Sequence, residues 1–142
     1  SVRMDKHISN TNQIVEYLDQ HDMVDWVSHP NLANHPNHDL AKELLPNGST
    51  AVFSFGIKGG REIGQVFIDR LDLFSNLANI GDAKSLVIHP ASTTHQRMSV
   101  EALEEAGISE GLIRLSIGIE SVDDLIDDLE KGFKAAARAL KK

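Results

Sequence analysis

The last quarter of the chain carries the clearest pattern. Val122, Leu125, Ile126, Leu129, Phe133, Ala136, Ala137 and Leu140 recur at three- and four-residue spacing, which predicts an amphipathic helix with those residues as its inward stripe. Ser121 suits the N-cap. Asp123 and Asp124 fall in the positive first turn, and Lys131, Lys134, Arg138, Lys141 and Lys142 crowd the negative end. Asp123 and Asp124 therefore read as helix electrostatics and solvation. A second helix is expected over residues 2–20, where Ile8, Ile14, Val15 and Leu18 stand among polar neighbours and the periodicity is clearest in the second half. Short helices are expected over Asp39–Leu45, Arg61–Leu71 and Ser99–Glu105, the last closed by Gly107.

Between the helices lie four strand-like runs, Met23–Ser28, Ala51–Phe55, Ser85–Ile88 and Leu112–Ile119. The first and third end at His29-Pro30 and His89-Pro90, where proline removes a donor and restricts the residue before it. Helices mixed with a few short strands give an α/β or α+β sandwich, a small sheet covered by helices.

One residue breaks the pattern. Arg114 is the only charge in the run Leu112–Ile119. Alternation places Ile113, Leu115, Ile117 and Ile119 on one apolar face and Leu112, Arg114, Ser116 and Gly118 on the other, so the guanidinium points away from the core. A planar fork on a rigid strand, beside a hydroxyl and a glycine, suits a cleft that receives a carboxylate or phosphate. An internal ion pair, or a side chain that reaches past the sheet to solvent, fits the spacing equally well.

Composition narrows the function. The 142 residues suit one domain with a core of its own. A net charge of −7 without a basic cluster excludes nucleic acid and an anionic membrane surface as partners. No apolar run reaches the roughly 18 residues of a membrane span. The lack of cysteine excludes disulfides and thiolate chemistry and suits a cytoplasmic protein. The chain opens on Ser1 and directly on a helix, and reads as a piece of something longer.

Other constellations carry less. His29, His35 and His38 invite a metal site, but His35 precedes Pro36 and no carboxylate stands at a recurrent ligand spacing, so no metal is expected. Gly56-Ile57-Lys58-Gly59-Gly60 follows a strand and opens a helix, yet matches neither nucleotide-binding glycine pattern and reads as a turn with close packing. No nucleophile elbow supports a serine triad.

The polar stretch from Asn79 to His95 is not explained by periodicity. Its His89-Pro-Ala-Ser-Thr-Thr-His95, followed by Ala106-Gly-Ile-Ser109, by Leu112-Ile-Arg-Leu-Ser-Ile-Gly-Ile-Glu120 and by a Val-Asp-Asp-Leu-Ile helix, resembles the C-terminal region of the cysteine/methionine-metabolism family of pyridoxal-phosphate enzymes. The likeness continues upstream through Val27-Ser-His-Pro30, His35-Pro-Asn-His38, Phe55-Gly-Ile-Lys-Gly-Gly60 and Leu73-Phe-Ser75 and covers nearly the whole chain. Leu77-Ala-Asn-Ile-Gly-Asp-Ala-Lys-Ser-Leu-Val87 is most similar to the O-acetylhomoserine sulfhydrylase branch.

The resemblance implies a small C-terminal domain of a fold-type I transferase, with a short, mainly antiparallel sheet, residues 1–20 as the interdomain helix and 21–142 as the small domain. It implies a full-length, cytoplasmic homo-oligomer of methionine and cysteine metabolism. Such an enzyme joins O-acetylhomoserine to sulfide or methanethiol, giving homocysteine or methionine and acetate, with pyridoxal 5'-phosphate as electron sink. By the same resemblance Arg114 pairs with the substrate α-carboxylate, Asn79 adds a second contact, and His89, Ser92, Thr94 and His95 form a pocket wall. The Ser-x-Thr-Lys context of the cofactor lysine is not in this sequence, and Lys58 and Lys84 match other positions. Catalytic residues and cofactor are therefore expected on a large domain upstream, and the segment alone is expected to be inactive and cofactor-free. A free-standing, non-catalytic module that binds an amino acid or a protein partner is the alternative.

Overall fold

The computed structural model describes residues 1–142. It contains helices α1 (Val2–Asp19), α2 (His38–Leu44), α3 (Gly60–Asp69), α4 (Val100–Glu105) and α5 (Val122–Leu140), and strands β1 (Val24–Ser28), β2 (Val52–Ile57), β3 (Ser75–Asn76), β4 (Leu86–Ile88) and β5 (Leu112–Ser116). The five strands form one sheet in the order β1-β2-β5-β4-β3, antiparallel except for the β3–β4 pair. The α/β architecture is the expected one. The fifth strand was not expected, because two polar residues, Ser75 and Asn76, show no alternation to read.

Helices cover one face. Ile113 and Leu115 from β5, Phe53 and Phe55 from β2 and Val87 from β4 meet α1, α3 and α5 through Ile14, Leu18, Ile63, Phe67, Leu129 and Phe133 in a single core. Its centre is aromatic. Phe67 and Phe133 lie 4.7 Å apart by ring centroids, and Phe55 stands 6.0 Å from each. Gly132 lets α5 approach α3, since a Cβ there would come 2.7 Å from the Phe67 ring. Glycine costs helix stability, and here the close packing compensates.

Two residues expected to face inward, Ile119 and Leu140, are corrected at the ends of elements. β5 stops at Ser116, and Ile119 is exposed rather than inward. Beyond Ser116 the chain has left its β2 and β4 partners, and side chains of α1 bond the carbonyls of Ile117, Gly118 and Glu120 instead. Ser121 occupies the N-cap of α5 without a side-chain capping bond, and Leu140 at the other end is exposed. Ser99, by contrast, caps α4 by accepting the Ala102 amide at 3.2 Å, and Gly107 follows it at φ +76°.

Asp123 and Asp124 are exposed in the first turn of α5 as expected, but Asp128 is not a solvated acid. It is 3% exposed, and its carboxylate accepts the amides of Asp72, Leu73 and Phe74 at 2.8–3.0 Å. It pins the turn between α3 and β3 to α5. Asp127, one residue earlier, is exposed.

Candidate functional site

The face of the sheet turned away from the helices carries Arg114. Because Ile113 and Leu115 enter the core, the pleat sends Arg114 and Ser116 to the other side. Its cross-strand neighbours are Ser54 on β2 and Ile88 on β4. Trp26 lies across the same face over Gly56, where any Cβ would collide with the indole. Arg114 is half-buried and makes no hydrogen bond or ion pair within the chain, whose salt bridges are His21–Glu130, Arg61–Glu110 and Lys131–Asp72. The internal ion pair that spacing left open is thus excluded. A guanidinium fixed on the central strand with its donors unused suits an incoming anion.

Asn79 reaches this face through its loop. Gly81 donates its amide to Ser116 Oγ at 3.1 Å, two residues along β5 from Arg114. Asn79 is exposed and its Oδ1 accepts the Ile80 amide at 2.9 Å, so that only its Nδ2 is left to donate outward. The far end of the loop is fixed at Ser85. Glu120 accepts the Ser85 amide and hydroxyl, each at 2.9 Å, and the Gly118 amide donates to Ser85 Oγ at 2.7 Å. Gly118 is required, because a Cβ there would strike the Ala83 carbonyl.

The His89–His95 segment divides between two environments. His89 is fully buried on the helix side, and a Cβ on Gly64 of α3 would come within 2.7 Å of its ring. Its Nε2–H donates to the Glu110 carbonyl at 2.6 Å and its Nδ1 accepts from Ser92 Oγ at 2.8 Å. Burial holds this imidazole below the usual histidine range, outweighing the carbonyl bond that favours protonation, with Arg61 adding to the depression. Thr94 is exposed and bonds His95 Nδ1 at 2.7 Å. Of the four residues expected to wall the pocket, Thr94 and the half-buried His95 and Ser92 retain surface and His89 does not. His89 holds the segment in place.

The other histidines also serve structure. His29 donates Nε2–H to the Thr50 carbonyl and accepts the Asn31 amide, and burial lowers its pKa, with His35 adding a smaller push. His35 accepts the Asn37 amide, and His38 donates to the Pro30 carbonyl. No group of three His, Asp or Glu residues is arranged to hold a metal. A separate cluster joins Tyr17 and His21 to Glu130 beside the Phe133 ring. Burial and the Glu130 bond push the Tyr17 phenol far up, while Glu130, though raised by burial, is lowered on balance by its Tyr17 and His21 bonds. A cleft of about 510 Å³ between α1, α2 and Pro46–Gly48 does not include Arg114 in its lining and holds no buried charge.

The family model described as Cys/Met metabolism PLP-dependent enzyme matches residues 1–134. The chain belongs to that family. It is 46% identical over 136 residues to the homocysteine synthase of Schizosaccharomyces pombe, covering 96% of this chain and 32% of that protein. It is likewise 46% identical over 134 residues to the O-acetyl-L-homoserine sulfhydrylase of Leptospira meyeri, covering 94% and 30%. The structure of cystathionine gamma synthase from Xanthomonas oryzae pv. oryzae, in complex with aminoacrylate and cysteine, superposes with a TM-score of 0.87 at 44% identity, covering 96% of this chain and 35% of that one. The chain spans about a third of the length of the curated relatives it matches.

Family membership raises the question of where a pyridoxal phosphate could sit on these residues. Every lysine is exposed, Lys58 and Lys84 included, so none offers the shielded amine that a stable imine needs. The Gly59–Gly60 turn is no phosphate cradle either, for the Glu110 carboxylate would lie 3.7 Å from a Cβ on Gly60. The residues of this segment do not fit the cofactor. They fit an anion at Arg114.

Arg3, His7 and Asn10, which meet this region from α1, escaped the sequence reading. The signal was the lack of an apolar stripe in the first half of α1, where polar residues at i, i+4 and i+7 occupy one face.

Proposed function

We propose that this segment supplies the substrate-carboxylate site of a PLP-dependent O-acetylhomoserine sulfhydrylase, which joins O-acetylhomoserine to sulfide or methanethiol and releases acetate. Arg114 is its principal residue, holding the α-carboxylate through two parallel N–H donors, and Asn79 Nδ2 provides a further donor from the loop above Ser116. Fixing the carboxylate orients the amino acid for chemistry performed by residues outside the segment. The observation that carries this reading is the unpaired, half-buried Arg114 guanidinium on the central strand, on the sheet face turned away from the helices.

Two further features support it. Trp26, Leu77, Ile80 and Ile119 are exposed on or around this face, and Val2 and Met4 at the start of α1, a surface suited to cover by another domain. Residues 1–20 then serve as the helix leading in from the cofactor-binding domain and 21–142 as the small domain, with Ile14, Val15 and Leu18 making that helix part of the core. The names of the relatives favour the sulfhydrylase branch, and Asn79-Ile80-Gly81 agrees with it.

The test is homocysteine formation by the full-length protein. O-acetylhomoserine with sulfide should give the highest kcat/KM among family substrates, and Arg114→Ala should lower it about a hundredfold, the scale for truncating one partner of a desolvated charge pair. A preference for γ-elimination of methionine would overturn the branch. An unchanged kcat/KM in the variant would remove Arg114 from the site.

A further inference from the structure

Gly81 is gripped from both sides. Its amide goes to Ser116, and its carbonyl accepts from Arg3 Nη2, a residue 78 positions earlier on the first turn of α1. Arg3 is in turn held by His7, whose Nε2 lies 3.1 Å from Arg3 Nε and whose Nδ1 lies 2.6 Å from the Ile117 carbonyl. The partners fix the tautomer. Arginine can only donate and a carbonyl can only accept, so Nε2 accepts from Arg3 and Nδ1–H donates to Ile117. The imidazole is 2% exposed, so the guanidinium is aimed by a side chain that cannot itself turn to solvent.

We infer that Arg3, aimed by His7, is a positioning residue for the substrate carboxylate: it sets the Asn79–Gly81 turn at the height at which Asn79 and Arg114 can share one anion. The inference rests on the carboxylate site proposed above. The turn behaves as one unit, since Asn79 bonds its own amide back to the Leu77 carbonyl and its Oδ1 to the Ile80 amide, and Gly81 closes it at φ +75°. Nothing lies within 4 Å of a Cβ placed on Gly81, so the glycine serves the left-handed backbone and leaves the turn without packing of its own. Two hydrogen bonds on one residue, one at its amide and one at its carbonyl, take the place of packing. Helix α1 does not need Arg3 for its own anchorage, because Asn10 donates to the Gly118 and Glu120 carbonyls and Ile14 and Leu18 are fully buried. The exposed Arg3 thus acts on the loop.

The test uses the full-length protein with Arg3→Met, which keeps the stem and removes the donors, and Lys6→Met, at another exposed position of the same helix, as control. Arg3→Met should raise KM for the amino-acid substrate about fivefold, the scale of one lost hydrogen bond to an ordered loop, while kcat stays within about twofold and the melting temperature is unchanged. Amide exchange at Gly81 should quicken in Arg3→Met and not in Lys6→Met. A KM equal to the parent's in Arg3→Met, where Arg114→Ala raises it, would overturn the positioning role and leave the site standing. A KM unmoved by Arg114→Ala would bring down the site and this inference with it.

Discussion

Leu115 and Arg114 are adjacent on β5 and face opposite sides of one sheet, and different physics governs each. Leu115 is fully buried against the Phe55–Phe67–Phe133 cluster, where the gain is proportional to apolar area removed from water and any well-shaped hydrocarbon would serve. Arg114 has no partner in its own chain and adds nothing visible to folding. The helix side is built to be stable, and on the proposed reading the opposite side is built to be specific. Its polar residues are bonded in two pairs, the Gly81 amide to Ser116 Oγ and the Ser85 amide and hydroxyl to Glu120, which fix the two ends of the loop that carries Asn79.

Substitutions should separate the two faces. Phe133→Ala, at the meeting point of α5, α3 and β2, is expected to cost about 4 kcal/mol of stability by denaturant titration, with KM unchanged in the fraction that folds. Arg114→Ala should do the converse, losing about 3 kcal/mol of transition-state binding while stability stays within about 0.5 kcal/mol. Equal damage to both quantities in either variant would break the division. Asp128→Asn removes the charge from an acceptor that satisfies three backbone amides and should cost about 2 kcal/mol of stability, with catalysis spared.

The smallest expected effect is in pH. His29 and His89 are both held below the ordinary histidine range by burial, so around pH ~6.5 the unfolded chain takes up protons that the folded chain refuses. The stability they allow is full above pH ~6.5 and is lost as pH falls from there toward the folded-state pKa values. His89→Gln, which keeps a donor toward the Glu110 carbonyl, should flatten the decline of the melting temperature between about pH 7 and pH 5 without altering KM. An undiminished slope would show that His89 is protonated as readily in the folded state as in the unfolded one.

What the sequence could reveal follows the same division. Periodicity exposes the core face because burial repeats, and it marks Arg114 because a single charge interrupts the repeat. It cannot distinguish Asp127 from Asp128, since only the arrival of the Asp72–Phe74 turn, more than 50 residues away, buries one and leaves the other in water. It finds the β4 strand but not its two-residue neighbour β3, whose pairing is set by the loop that Asp128 pins. His89 reads as pocket lining on family resemblance, yet the β4 pleat turns it to the helix side against Gly64. Asn79 and Arg114 were legible as a pair only through that resemblance, and the side chains that bring their loop together, Arg3 and His7, lie at the opposite end of the sequence.

The central claim is that Arg114 holds a substrate carboxylate, and a cycle of enzyme and substrate changes tests it most directly. Full-length parent and Arg114→Ala proteins would each be assayed with O-acetylhomoserine and with its α-carboxamide, which keeps the shape and removes the charge. The parent should prefer the carboxylate about a hundredfold in kcat/KM, and Arg114→Ala should show almost no preference, a coupling of about 2–3 kcal/mol. If the variant discriminates between the two substrates as strongly as the parent, the carboxylate is held elsewhere and the account is wrong.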